Sequence, residues 1–427
     1  MSKAISRRNF LMATGAVGAA GLLAACGGSS AASSTASSAA ASQAPAASAD
    51  ESLALSDGPV NLSISWWGGD SRHAAYQSAL EAFQAEHSNI TVEPTFAAWS
   101  GWEEKMAAAF IAGNAQDVCQ VNWNWLYNYS ADGSKFVDLN TASKFIDLTQ
   151  WDAAAMDACY VANSQQCVPV SMTGRIFYWN MTTFNKAGIT EVPKSLDDLM
   201  AAGKAFQEKL GNDYYPMHLG AYDRMILMVF YLESKYGKDW ADPTTSTLNY
   251  TEEEIAEGLA FIKSLVDNHV MMNLKTYYSA NSDTATHQSN EWITGKIAGI
   301  FEWDSAATKY ASALDDSNKD GFTVGEEIKF GDNNGGFSKV SMGLAITKTC
   351  KNVAEAATLI NFLLNEEKGA SIMGSECGIP ASKAGLKFAQ DAGAVKELIA
   401  EANAKVMAFT TNKLDPLFEN NDLKASG

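Results

Sequence analysis

The stretch Val60-Asn61-Leu62-Ser63-Ile64-Ser65-Trp66 alternates apolar and polar residues, the period of a strand with one buried face. Asp70 then opens a run to about His87 in which Ala75, Leu80 and Phe83 fall on one helical face. Ile90-Thr91-Val92-Glu93-Pro94-Thr95-Phe96 is a second strand pattern, and Trp102–Ala112 a second helix closed by Gly113-Asn114. Asp117-Val118-Cys119-Gln120-Val121 reads as a short buried strand. This β-α-β-α-β order predicts an α/β sheet domain. Ligands of such sheets bind beyond the carboxyl ends of the strands. Those ends carry Trp66-Trp67-Gly68-Gly69-Asp70, Ala97-Ala98-Trp99-Ser100 and Asn122-Trp123-Asn124-Trp125. Six of the 11 Trp lie between Trp66 and Trp125. Clustered indoles either form a core or offer flat faces to a sugar ring, and both readings stand at this point.

Outward from this block, Val168–Asn180 is a long extended run. Helix patterns cover Leu196–Leu210 and residues 252–268, with capping residues Ser195 and Thr251 before them. Residues 297–301 and 340–346 are strand patterns, and residues 353–364 and 395–407 are helical. The chain has 427 residues, 47% of them hydrophobic, enough for two or three domains.

Upstream, residues 1–26 join a basic head (Ser6-Arg7-Arg8-Asn9-Phe10-Leu11), a short apolar run and Leu23-Ala24-Ala25-Cys26. These are the parts of an export signal. The head resembles a twin-arginine motif and the end resembles a bacterial lipobox, in which the Cys is lipidated. A lipid on Cys26 would then hold the chain at the extracytoplasmic face of the cell membrane. Residues 27–53 contain nine Ser and ten Ala, with no aromatic and no basic residue. Such a segment buries too little apolar area to offset its ordering entropy and reads as a flexible tether, with a reach of roughly 30 Å as a coil. The net charge is −18, and loss of Lys3, Arg7 and Arg8 with the signal makes it −21. An acidic chain is a poor partner for nucleic acid, and an anionic bilayer would repel it. Attachment is therefore expected through lipid alone. Without Cys26 five Cys remain, and the sequence leaves open whether Cys159 and Cys167 are bridged. No pair among the five His has metal-ligand spacing, so no metal or other cofactor is expected.

Several blocks, in order, resemble a known family. They include Asn114-Ala115-Gln116-Asp117-Val118, Thr173-Gly174-Arg175-Ile176-Phe177-Tyr178-Trp179-Asn180 and Phe184-Asn185-Lys186-Ala187-Gly188. Gly295-Lys296-Ile297-Ala298-Gly299-Ile300-Phe301-Glu302-Trp303, Met342-Gly343-Leu344-Ala345-Ile346 and Gly374-Ser375-Glu376-Cys377-Gly378-Ile379-Pro380 follow. The set resembles the extracellular solute-binding proteins of bacterial carbohydrate ABC importers, the maltose-binding-like group, over about residues 58–420. The resemblance implies an α/β, two-lobed periplasmic-binding-protein-like fold of type II, with a hinge and a cleft between the lobes. It places lobe one at 54–171 and 340–378, and lobe two at 172–339 and 379–427. It implies a monomer that captures a carbohydrate and delivers it to permease subunits served by a separate ATPase. No phosphate-binding Gly-x-x-x-x-Gly-Lys-Ser/Thr loop is present, since Asn290 stands where its first Gly belongs and Ile297 follows Lys296.

By family position Trp67, Asp70 and Arg72 follow the first strand, Trp99 and Trp102 the second, and Trp123 and Asn124 the third. Arg175 at the crossover would reach the cleft or form a salt bridge at the hinge. Tyr222 and Asp223 would contact ligand, or Asp223 would cap a helix. Trp303 is the foremost stacking candidate, Asp304 a helix cap or a ligand contact, and Phe337 follows two glycines that permit close approach. Aromatic planes suit the C–H faces of a sugar, while Asp, Asn and Arg satisfy its hydroxyls. Two rivals remain. A surface-tethered glycoside hydrolase would also use Trp platforms and needs a pair of facing carboxylates. The same fold binding a polyamine or amino acid would need an anionic aromatic box.

Overall fold

The computed structural model describes residues 53–242, 247–282 and 284–410, together with the backbone of 412 and 413. The signal (1–26) with Cys26, nearly all of the tether (27–53) and the segment after 413 lie outside the described residues. Strand Val60–Trp67 pairs in parallel with Ile90–Ala97 on one side and Val118–Val121 on the other. Helix Asp70–Glu86 follows the first strand and buries Ala75, Tyr76, Ala79, Leu80 and Phe83, one face at helical spacing. Helix Trp102–Ala112 ends at Gly113, whose φ of 70° is the left-handed cap the Gly-Asn pair predicts. Capping at Ser195 and the capping box at Thr251 form as expected. Asp70 is not a cap: Gly69 holds that position, and Asp70 lies in the first turn.

Val168–Asn180 is a single 13-residue strand, here called the crossing strand. From Val168 to Gly174 it pairs antiparallel with Phe337–Ile346, the returning strand. That strand runs on beside Val118–Val121, which completes the first lobe's sheet. From Arg175 to Asn180 the crossing strand pairs instead with Gly299–Trp303 and Phe322–Val324. One strand therefore belongs to two lobes of a single body, and the exchange of partners falls between Gly174 and Arg175.

The second lobe is built on Gly299–Trp303 by helices Ala221–Tyr236 and Glu252–Asp267. Helix Glu397–Phe409 lies along the crossing strand. Helix Lys383–Asp391 departs from the expected division. It packs on Val353–Asn365 and Glu367–Met373, which themselves pack on Asp70–Glu86. Its seat is tight. Ser382 donates to the buried Asn365 carboxamide at 2.6 Å, and a Cβ at Gly385 would meet the Leu364 carbonyl oxygen at 2.2 Å. Residues 379–391 thus stand with lobe one, and the last crossing falls just before Glu397–Phe409. All five described cysteines are free and buried, Cys159 and Cys167 included.

Gly174 sits at the partner exchange because nothing larger fits. A Cβ there would meet Val406 Cγ1 at 2.4 Å and the Phe337 carbonyl oxygen at 2.8 Å. We expect Gly174→Ala to lower stability by about 1–3 kcal/mol through overpacking. Urea unfolding measures it, and an unchanged midpoint would mean that the two lobes yield freely at this strand.

Candidate functional site

Two adjoining cavities open where the strand ends of the lobes face each other. The first, about 480 Å³, is walled from lobe one by Trp67, Trp99 and Asn122, and from lobe two by Tyr222, Trp303, Ser305 and Lys309. Thr173 of the crossing strand and Lys339, Ser341 and Met342 of the returning strand form its floor. The second, about 520 Å³, lies within lobe two. Its wall includes Arg175, His218, Asp223, Tyr277, Glu302 and Tyr310. Tyr222 and Trp303 line both cavities.

The lobe-one aromatics divide by strand period, since consecutive residues face opposite ways. Trp66 is fully buried, stacked between Tyr76 and Phe96 at 4.5 and 4.8 Å. Trp67, its neighbour, meets Trp99 edge-on at 5.1 Å and lines the cavity. Trp99 is 42% exposed, the most open indole of this group.

In lobe two Trp303 stands opposite Arg175 in the antiparallel register. The guanidinium carbon lies 4.5 Å from the indole centre, and the Lys339 ammonium 4.8 Å from it. Arg175 is 3% exposed and meets Asp223 at 2.7 Å and Glu302 at 3.0 Å through the same Nη1. Burial works against the guanidinium charge, yet the two carboxylates outweigh it and hold its pKa above the ordinary value. Glu302 is held above the usual carboxylate range by burial, against the pull of Arg175. The salt-bridge reading of Arg175 is thus realised, but both partners belong to lobe two rather than spanning the hinge. Asp223 is no cap: Gly220 precedes the helix, and Asp223 lies in its first turn on Arg175.

Asp304, 2% exposed, lines neither cavity. It accepts from Thr173 Oγ1 on the crossing strand and from Asn403 Nδ2 on helix Glu397–Phe409, at 2.5 and 2.6 Å. It also accepts its neighbour Ser305 N–H at the start of a short 3-10 turn. It is a pin between segments.

Of the residues singled out from sequence, the structure brings Trp67, Trp99, Arg175, Tyr222, Asp223 and Trp303 to the cavities. It leaves others off their walls. Trp102, Trp123, Asn124 and Phe337 are at most 2% exposed. Phe337's neighbours Gly335 and Gly336 make their close approach to Phe230 instead of to the cleft. Asp70 faces solvent, and Arg72 is spent on the backbone carbonyls of Trp67 and Glu376.

Asn122, Ser305, Lys309, Lys339, Ser341 and His218 were not singled out. Asn122 is 7% exposed and its buried carboxamide oxygen has no partner within the protein. Its signal was available, for it is the first residue after a buried strand. His218 stacks on Tyr277 at 3.8 Å and is kept neutral by burial and nearby Arg224, its pKa lowered to about 3 against a hydrogen bond with the Met272 backbone. Among the described residues no group of three or more His, Cys, Asp and Glu could hold a metal ion, and no helix is long and apolar enough to cross a membrane.

Burial raises Asp304 to about 6 despite its hydrogen bonds to Thr173 and Asn403. The folded chain then holds a proton that the unfolded chain releases near pH 4. The stabilisation is fully present below that pH and is lost as pH rises through 6, about 3 kcal/mol in all. His218 titrates with the opposite sign, so a difference measurement isolates Asp304. The unfolding free energy of Asp304→Asn should gain about 2 kcal/mol on that of wild type between pH 4 and 7.5, the rest of the change falling below pH 4, and a flat difference would refute the buried titration.

Residues 69–370 match the sequence profile of bacterial extracellular solute-binding proteins, and the chain belongs to that family. It resembles a periplasmic solute-binding protein of Pectobacterium atrosepticum at 33% identity and a TM-score of 0.80, over 85% of this chain and 90% of that one. It resembles a periplasmic oligogalacturonide-binding protein of Yersinia enterocolitica, solved with saturated digalacturonic acid, at 34% identity and a TM-score of 0.76, with the same coverage. A diacetylchitobiose-binding protein of Streptomyces coelicolor is 22% identical over 315 residues, 70% of this chain and 65% of that protein. The two-lobed type II architecture is that of this family.

Proposed function

We propose that this chain is a receptor that captures a sugar or oligosaccharide between its lobes and delivers it to an ABC importer. The observation that carries the reading is the first cavity, whose walls come from both lobes. Indole and phenol rings there (Trp67, Trp99, Tyr222, Trp303) stand among groups that bond hydroxyls (Asn122, Thr173, Ser305, Ser341). That pairing suits a ring with apolar faces and a polar girdle. A buried acceptor such as Asn122 Oδ1 costs about 1–3 kcal/mol while unpaired, and a ligand hydroxyl would satisfy it. The sugars bound by the Yersinia and Streptomyces relatives support the same class.

The rival readings fare worse. Asp223 and Glu302 are both drawn to one Arg175 nitrogen, an ion-pair arrangement rather than two carboxylates facing each other across a substrate. A polyamine entering the first cavity would meet Lys309 and Lys339. We take the lobes as 54–174 with 337–391, and 175–336 with 397–410, closing about the crossing strand as a monomer. The importer's permease subunits and ATPase are separate chains.

Calorimetric titration of the purified chain against mono- and oligosaccharides tests the reading. We expect one sugar class to bind and to be recovered unchanged after prolonged incubation. Trp303→Ala should weaken that binding about 10- to 100-fold, the worth of one buried aromatic side chain. Steady release of cleaved product would favour the hydrolase. Full affinity in Trp303→Ala with a large loss of melting temperature would make this indole a packing residue.

Leu23-Ala24-Ala25-Cys26 and the Ser/Ala tether support a lipid anchor on Cys26 at the extracytoplasmic face of the membrane. Labelling cells with a fatty-acid probe should mark the wild-type chain and not Cys26→Ser. Equal labelling would remove the anchor.

A further inference from the structure

The five described cysteines are not equivalent. All are buried free thiols. Three of them bond groups other than sulfur: Cys119 bonds Ser65 and the Gln116 carbonyl, Cys350 bonds Asp117, and Cys377 bonds Tyr76. Cys159 and Cys167 differ. Their thiols are hydrogen-bonded to each other, and both residues are 0% exposed.

A tight hairpin makes this meeting. Tyr160 pairs with Gln165 and Val161 with Ser164, which leaves Ala162 and Asn163 as a two-residue turn. Their φ angles of 55° and 56° fit a type I′ turn. The Gln166 N–H then donates to the Cys159 carbonyl at 3.2 Å, and Cys167 follows directly. Both cysteines stand outside the paired rungs, so the ladder's alternation does not hold their side chains apart.

The surroundings admit a bond between the sulfurs and little else. A Cβ at Gly343 of the returning strand would meet Cys167 Sγ at 2.5 Å, so this sulfur already lies against that backbone. An added oxygen or a small-molecule adduct on it would have to displace the strand. A disulfide adds no atom and removes two hydrogens. Burial also pushes the Cys167 thiol well above its ordinary pKa, which makes it inert while the fold is closed. Reaction therefore belongs to the folding chain or to an opened hairpin, whose Tyr160, Ala162 and Asn163 are exposed.

We propose that Cys159 and Cys167 are a disulfide-forming pair, oxidised as the chain folds outside the cytoplasm and reopened by a thiol reductant. The family is extracellular, and disulfides persist in oxidising compartments. One thiolate attacks a disulfide donor, protein or small molecule, and expels one donor thiolate. The second thiolate attacks the mixed disulfide and expels the other. The two cysteines lose two electrons and two protons, and the donor's disulfide becomes two thiols. The bond closes the hairpin at the root of the crossing strand, which begins at Val168. A fold that holds two thiols in contact favours their bond, and by linkage the bond favours that fold equally. Neither cysteine lines either cavity, so the pair stands or falls apart from the ligand.

The test refolds the purified full chain from urea in oxidised glutathione or in dithiothreitol. Each sample is then quenched in acid, unfolded, alkylated with N-ethylmaleimide and mapped by peptide mass. The oxidised sample should yield a linked Cys159–Cys167 peptide with Cys119, Cys350 and Cys377 alkylated, and dithiothreitol should leave all five alkylated. In glutathione buffers the folded chain should favour the bond about tenfold or more over the chain kept in urea. Chain taken from the cell surface directly into N-ethylmaleimide should carry the same linked peptide. Free Cys159 and Cys167 in the oxidised or the cell-surface sample, a bond between any other pair, or the same equilibrium in folded and urea-held chains overturns the proposal.

Discussion

Thirteen residues of backbone are shared between two sets of partners, and the rest of the structure follows from how that sharing is arranged. Each half of the crossing strand finds its hydrogen bonds in a different lobe. A strand must satisfy its N–H and C=O groups along its whole length, so the lobes stay tied at this line while their outer ends are free to differ. Gly174 marks the exchange because helix Glu397–Phe409 and the returning strand both crowd the space its Cβ would occupy.

The same register builds the site. Arg175 is the first residue of the second half, and pairing sets it opposite Trp303. A guanidinium buried to 3% exposure could not persist unpaired. Asp223 comes from a helix and Glu302 from the neighbouring strand, and together they hold it. Its flat face then supports the indole. Thr173, one residue before Gly174, bonds Asp304, which directly follows Trp303. The position of this one indole is therefore set by the strand register, by a charge triad and by a pinned carboxylate. A ring fixed in advance costs a ligand less ordering entropy than one that must be immobilised on binding.

The sequence by itself determined the elements and their order. Alternation at Val60–Trp66, the apolar stripe of Asp70–Glu86 and the uninterrupted run Val168–Asn180 each depend on local period, and local period survives folding. The ordered family blocks carried the two-lobed architecture. What the residues could not settle was which side of each element faces the cleft. Trp66 and Trp67 are adjacent, as are Asn122 and Trp123, and period alone says only that neighbours part company. The packing of Tyr76 and Phe96 on Trp66 decided the first pair. Burial of Trp102, Trp123 and Asn124 likewise took these residues out of the wall, although their composition matched it. Lys309 and Lys339 come from a short helix and a distant strand, and only the meeting of lobe two with the returning strand brings them to one cavity. Helix Lys383–Asp391 went to lobe one because Gly385 admits the Leu364 carbonyl, a contact between elements that no local pattern records. Periodicity acts through bonds a few residues apart, whereas a cleft is made by surfaces whose residues meet only after the chain has crossed three times.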